Sequence, residues 1–237
     1  MILITNDSVV IKDNTSLHFN SLTKLFNKYK NVILEDKFDN SLDKLPNSLK
    51  ELYIPDKFNH PIDNLPKNLE FLQLGQDFNK RINNLPKKLK TLNLDGKFNQ
   101  TINKLPASLE ILKLSEKFNR RVNKLPVNLK SITFKKEFDQ NINKLPDSIK
   151  KITFDNGSIF NRNIDKFPMN LVYLKFGKNF NKPLNNLPPN LRSLELNGIF
   201  NQELKNLPSS LVFLSVNCQY DKSLNFLPEN LKKIIYL

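Results

Sequence analysis

Apolar residues recur along this chain in a fixed order. From Phe98 they fall at Ile102, Leu105, Leu109, Leu112 and Leu114, and the order restarts at Phe118. The spacing is not that of a helix, which needs an unbroken i, i+3, i+4, i+7 stripe, and Pro106 interrupts the middle. The run from Leu109 ends in alternation. Leu112 and Leu114 point one way, Ile111 and Lys113 the other, which predicts a short strand. The remainder of the unit must carry the chain back to the start of the next strand. The frame opens at Phe38, Phe58, Phe78, Phe98, Phe118, Phe138, Phe160, Phe180, Phe200 and Tyr220. The interval is twenty throughout, except that Phe138 to Phe160 is longer by two. The two extra residues fall in the turn-rich segment 155–159, which can bulge without disturbing its neighbours.

A 20-residue unit cannot bury its own apolar edge, so its stability must come from stacking on the units before and after it. Ten such units over residues 38–237 predict one continuous solenoid of short coils, mainly β or α/β, with one parallel sheet. The Phe positions should form a stacked aromatic column inside. Pro recurs once per unit, from Pro46 to Pro228. Because proline fixes φ and lacks an N–H, it belongs at a bend outside the strand ladder. Ser or Asn follows two residues later in nine of the ten units. That pattern predicts a turn with Pro at its second position, supported by a short polar side chain. After the aromatic comes Asn, or Asp at Asp39, Asp139 and Asp221. A column of Asn, carrying both donor and acceptor, suits backbone groups left unpaired where the coil turns inward.

The L-x-x-L-x-L run from Leu109 resembles the strand signature of leucine-rich repeats, and Leu-Pro in a 20-residue unit resembles their short bacterial form. Phe118 and Asn119, however, come four and five residues after Leu114. That shifted Phe-Asn, followed by an aliphatic residue and Leu-Pro, resembles the FNIP repeat family, known chiefly from social amoebae and giant DNA viruses. The resemblance implies a leucine-rich-repeat-like fold and a non-enzymatic role in protein interaction, as a substrate-recognition or decoy element related to ubiquitin-ligase adaptors. Many viral relatives place an F-box before the repeats. Residues 1–37 lack its opening Leu-Pro and its three-helix length. They predict instead an N-terminal cap: a hairpin of Ile2–Ile4 with Val9–Ile11, then an amphipathic helix through Leu22, Leu25, Phe26 and Tyr29. Thr15 or Ser16 would cap that helix, and Val32 and Leu34 would begin a partial coil. The final run, residues 231–237, reads as a last strand, with Lys232 and Lys233 discouraging edge pairing. Homodimerisation through that C-terminal edge is the alternative.

Composition adds a charge and removes some functions. The formal net charge is +14, which admits nucleic acid or an acidic protein as a partner. Lys is spread along the whole chain, as a solvated surface alone would have it. The single Cys218 precludes an internal disulfide and suits a reducing, cytoplasmic compartment, the host's if the protein is viral. No apolar run approaches the ~18 residues of a membrane span, and the N-terminus lacks the charge and hydrophobic length of a secretory signal. The two histidines, His18 and His60, lie in different contexts, and no hydrolase, zinc or phosphate-loop motif occurs. We therefore expect neither an enzyme nor a bound metal or cofactor.

If the repeating positions are frame, specificity belongs to the ones that vary. On each strand these are three alternate positions, occupied by Ile111, Lys113 and Ser115 in the unit from Phe98. The candidate protein-binding residues are Tyr53, Phe71, Gln73, Asn93, Ile111, Lys113, Thr133, Thr153, Tyr173, Lys175, Glu195 and Phe213. Outward aromatics such as Tyr53, Phe71, Tyr173 and Phe213 are typical of protein interfaces, though they also pack on one another. The third alternate position would add Pro55, Gly75, Asp95, Ser115, Lys135, Asp155, Gly177, Asn197, Asn217 and Leu237. A second candidate surface is basic. Lys44, Lys104, Lys124, Lys144 and Lys166 precede Leu-Pro, and Lys37, Lys57, Lys97 and Lys117 precede Phe. It would serve an anionic partner such as nucleic acid, but it lacks the interleaved aromatics of a single-strand platform.

Overall fold

The computed structural model describes residues 2–4, 8–13, 28–38, 41–43 and 45–236. The expected helix through Leu22, Leu25 and Phe26, with its cap at Thr15 or Ser16, lies outside them. So do His18, Asp39, Lys44 and Leu237. The chain forms two compact units, residues 1–115 and 116–237.

In the first unit β1 (Ile2–Ile4) pairs antiparallel with β2 (Ser8–Asp13), joining Ile2 to Ile11 and Ile4 to Val9. Every later pairing is parallel. β3 (Asn31–Lys37) is followed by β4 (Glu51–Tyr53), β5 (Phe71–Gln73), β6 (Thr91–Asn93) and β7 (Ile111–Lys113), each beside its predecessor. The second unit carries β8 (Ser131–Phe134), β9 (Lys151–Phe154), β10 (Tyr173–Phe176), β11 (Ser193–Leu196), β12 (Phe213–Val216) and β13 (Lys233–Tyr236), again parallel and in chain order. Between residues 45 and 236 every regular element is a strand, and the rest is turn and extended chain.

The register puts equivalent positions side by side. Leu52, Leu72, Leu92 and Leu112 form one inward row, none of them accessible to solvent. Burying one such side chain stabilises by about 1.5–3 kcal/mol, and here every burial needs the coils on either side. The aromatic column is inside, as the pattern predicts. Phe78 stacks on Phe98 at 6.2 Å in the first unit, and Phe138, Phe160, Phe180, Phe200 and Tyr220 follow one another at 6.1–6.2 Å in the second. The second unit adds a further column. Phe134, Phe154 and Phe176 replace the last strand Leu and stack at 4.9 and 5.3 Å. Phe176 also lies 3.7 Å from Phe180, joining the two columns.

The Asn column does what unpaired backbone requires. Asn59 Oδ1 accepts from the Asn79 N–H at 3.0 Å, and Asn79 Oδ1 from the Asn99 N–H at 2.9 Å. Asn161 and Asn181 do the same for Asn181 and Asn201. The Leu-Pro turn differs from expectation in one respect. The Leu69 and Leu89 N–H groups donate to the carbonyls of Pro66 and Pro86, three residues earlier. Pro is therefore the first residue of this turn, not the second, since its carbonyl is free to accept. The polar residue two positions on reaches the preceding coil: Ser108 Oγ donates to Leu89 O at 2.8 Å, and Asn68 Nδ2 to Asn47 O at 2.9 Å.

The two-residue insertion sits directly after β9. The Ser158 N–H closes a turn onto Asp155 O, and the Ile159 N–H bonds to Lys136 O of the preceding coil. Ser158 is fully buried and Asn179 Nδ2 bonds its carbonyl at 2.7 Å. The insertion thus bulges outward while Phe160 keeps its place in the aromatic column.

Candidate strand-face binding site

Alternation along each strand decides which side chains reach solvent. In the first unit the inward Leu leaves two outward rows: Glu51, Phe71, Thr91 and Ile111, then Tyr53, Gln73, Asn93 and Lys113. Strands in a sheet lie ~4.8 Å apart, so each row is a ladder of touching side chains. Tyr53 and Phe71 meet at 4.9 Å between ring centroids. Both are half-buried, while Ile111 is 38% exposed, high for a large aliphatic residue on a sheet. Burial, with the Glu51 carboxylate beside it, raises the pKa of the Tyr53 hydroxyl. Asn93 Oδ1 is buried in this row without a hydrogen-bond partner. Below the rows, Glu70 accepts from Lys50 at 2.5 Å and from Lys90 at 2.7 Å. These two ammonium groups lower its carboxyl to about 2.

The second unit has the same geometry and different chemistry. Its outer rows are Ser131, Lys151, Tyr173, Ser193, Phe213 and Lys233, then Thr133, Thr153, Lys175, Glu195, Ser215 and Ile235, of which Ser215 is buried. The Tyr173 hydroxyl donates to Glu195, and the Lys151 ammonium sits 4.6 Å from the Tyr173 ring centroid. Burial first, then the Glu195 carboxylate, raises the pKa of Tyr173. Lys175 lies 3.7 Å from the same carboxylate. Beside the insertion is a recess of about 430 Å³ lined by Glu116, Lys136, Thr153, Asp155, Asn156 and Lys175. Thr153 Oγ1 is buried there without a partner. Burial raises the pKa of Asp155, against the pull of Lys135.

All twelve candidate residues lie on the outer rows of the strands, partly or largely accessible. The first unit brings Tyr53, Phe71, Gln73, Asn93, Ile111 and Lys113 together. The second brings together Thr133, Thr153, Tyr173, Lys175, Glu195 and Phe213. The third alternate position does not belong to this face throughout. Pro55, Gly75, Ser115, Gly177 and Asn217 are buried, because the chain turns inward directly after the strand. Ser115 Oγ donates to Phe98 O at 2.5 Å, and Asn217 Nδ2 to Phe200 O at 2.6 Å, so both support the coil. Reasoning from the sequence missed Lys136 and Asn156 in the recess. The one available signal was the longer interval between Phe138 and Phe160. It also missed large apolar groups outside the strands: Val127, Met169 and Phe226 are 73%, 51% and 70% exposed on the coils.

The basic coil edges are less uniform than their spacing suggests. Lys97 is paired with Asp77 at 2.7 Å and Lys117 with Glu137, whereas Lys124, Lys144 and Lys166 are exposed. His60 packs edge-on against Phe58 at 5.4 Å. Among the described residues no three His, Cys, Asp or Glu side chains are placed to hold a metal ion. No helix among them is long and apolar enough to cross a membrane.

The FNIP Repeat family model matches residues 38–77, 58–97, 118–157, 160–198 and 182–219, about two thirds of the chain. Among solved structures the chain is similar to CroV588, a novel circular LRR protein, with 26% identity and a TM-score of 0.68. The match covers 99% of this chain and 44% of that one, so the chain spans less than half the length of CroV588. YopM from Yersinia enterocolitica WA-314 also matches, at 19% identity and a TM-score of 0.49, over 89% of this chain and 51% of that one. No curated protein matches the chain.

Proposed function

Because the chain belongs to the FNIP repeat family and folds as a leucine-rich-repeat-like solenoid, we propose that it is a non-enzymatic binding module whose outer strand face holds a protein partner. One observation carries this reading. The frame repeats almost unchanged, yet no two coils carry the same pair of side chains on the outer rows, with half-exposed Tyr53, Phe71, Tyr173 and Phe213 among them. A surface that varies on a scaffold that does not is suited to recognition. The rows are held by main-chain ladders and stacked cores, so little freedom is lost when a partner docks. In a substrate-recognition or decoy role the face would hold its partner without chemistry, in the reducing cytoplasm that suits the lone, exposed Cys218.

The test is affinity capture from the native cell with the intact chain and with Phe71→Ala plus Tyr173→Ala. Truncating an aromatic at the centre of an interface costs about 2 kcal/mol or more, so the double variant should lose its partner while its circular dichroism is unchanged. Retention of the same partner at the same yield would reject the strand face as the binding surface. The rival reading, a basic nucleic-acid binder, draws on the net charge of +14 and requires a steep log-linear fall of affinity with salt.

A further inference from the structure

The chain's positive charge is not evenly shared. Residues 1–115 carry 17 Lys and Arg against 13 Asp and Glu, whereas residues 116–237 carry 20 against 10. In the first unit the outer rows are mostly apolar, hydroxyl and amide side chains, with Glu51 and Lys113 the two charged ones, and beside them Glu70 is paired with both Lys50 and Lys90. In the second unit Lys135, Lys136, Lys150, Lys151, Lys175 and Lys178 lie on the strands or at their two ends. Lys135 and Lys175 each have a carboxylate 3.7 Å away. Lys136, Lys150, Lys151 and Lys178 are exposed, and no carboxylate among the described residues pairs with them.

Resting on the protein-binding reading above, we infer that the strand face of the second unit is a docking surface for an acidic, extended segment of a partner protein. The four unpaired ammonium groups supply charge complementarity. Lys136 and Lys175 stand at the recess beside the insertion, where the Thr153 hydroxyl lacks a partner. A partner carboxylate at the mouth of the recess accepts from Lys136, the exposed lysine of its lining. The same face is poorly suited to a phosphate backbone. Glu116, Asp155 and Glu195 are interspersed among the lysines and repel any anion, but an extended polypeptide also brings backbone N–H donors for them, which a phosphate backbone does not. Tyr173 cannot serve as a stacking platform for a base, since Lys151 covers its ring and Glu195 holds its hydroxyl.

The test uses the 237-residue chain and two labelled probes: a twelve-residue peptide alternating Glu and Val, and a twelve-nucleotide oligothymidine. Two triple variants carry the same net charge. One, Lys136→Gln with Lys150→Gln and Lys151→Gln, neutralises the strand face. The other, Lys124→Gln with Lys144→Gln and Lys166→Gln, neutralises the coil edge, and all six positions are exposed. The peptide should bind more tightly than the oligonucleotide. Its affinity should drop about tenfold or more in the strand-face variant and stay within about twofold in the coil-edge variant. Absence of peptide binding, equal losses in both variants, or tighter oligonucleotide binding would each overturn the inference. If it falls while the native partner is still captured through Phe71 and Tyr173, only the acidic chemistry is rejected. If that capture also fails, the protein-binding reading falls with it.

Discussion

At the scale of single residues, the positions that look most like a signature are the ones that build the coil. Asn79 illustrates how. Its Oδ1 accepts from the Asn99 N–H and from Gln100 Nε2, at 2.9 and 3.1 Å. Removing that oxygen leaves a part-buried backbone donor unpaired, which costs about 1–3 kcal/mol. Asn79→Leu should therefore lower the urea midpoint clearly. Asn79→Asp should be much milder, because only an acceptor is needed and the chain itself uses Asp at the equivalent Asp139 and Asp221. Equal losses in the two variants would mean that the Asn column acts through packing alone. By contrast, Phe71 and Tyr173 occupy positions where the frame makes no demand, and their identity is available for recognition.

At the scale of the coil, what matters is how closely one turn of chain lies on the previous one. Gly198 has φ of +71°, and a Cβ there would stand 2.1 Å from the carbonyl oxygen of Lys178. Gly157, in the inserted bulge, has nothing within 4 Å of the same point and no positive φ. Gly198→Ala should cost at least about 1–2 kcal/mol, whereas Gly157→Ala should leave thermal unfolding within about 0.5 kcal/mol of the parent. The strands and the aromatic column were legible in the sequence because the alternation of the strand and the repeat of the coil superimpose. A residue that must be inward on one strand must be inward on all. The third alternate position was not legible, since alternation says nothing of where the chain leaves the ladder. Ser115 and Asn217 look like surface residues by chemistry and are buried because they bond the carbonyls of Phe98 and Phe200. The Phe134–Phe154–Phe176 column and the recess beside it were hidden for a different reason. Phe in place of Leu is apolar either way, and the longer interval before Phe160 marks an insertion without saying on which side it opens.

At the scale of the whole molecule, the fold is a scaffold with at least two chemically distinct sets of exposed side chains. One is the laddered strand face, with Tyr53, Phe71, Ile111, Tyr173 and Phe213. The other is the coil surface, where Val127, Met169 and Phe226 are exposed, as are Ile159 and Ile199. Either set offers area to a partner, and exposure by itself favours the coils. The strands are favoured by geometry: their rows are in register within each unit and no two coils carry the same pair of outward side chains, whereas Val127, Met169 and Phe226 stand on different coils. The most direct measurement is hydroxyl-radical footprinting of the chain with and without its captured partner, which reads both sets at once. Protection of Tyr53, Phe71, Tyr173 and Phe213, with Val127, Met169 and Phe226 unchanged, is the result expected. Protection of Val127, Met169 and Phe226 with the four aromatics still reactive would contradict it.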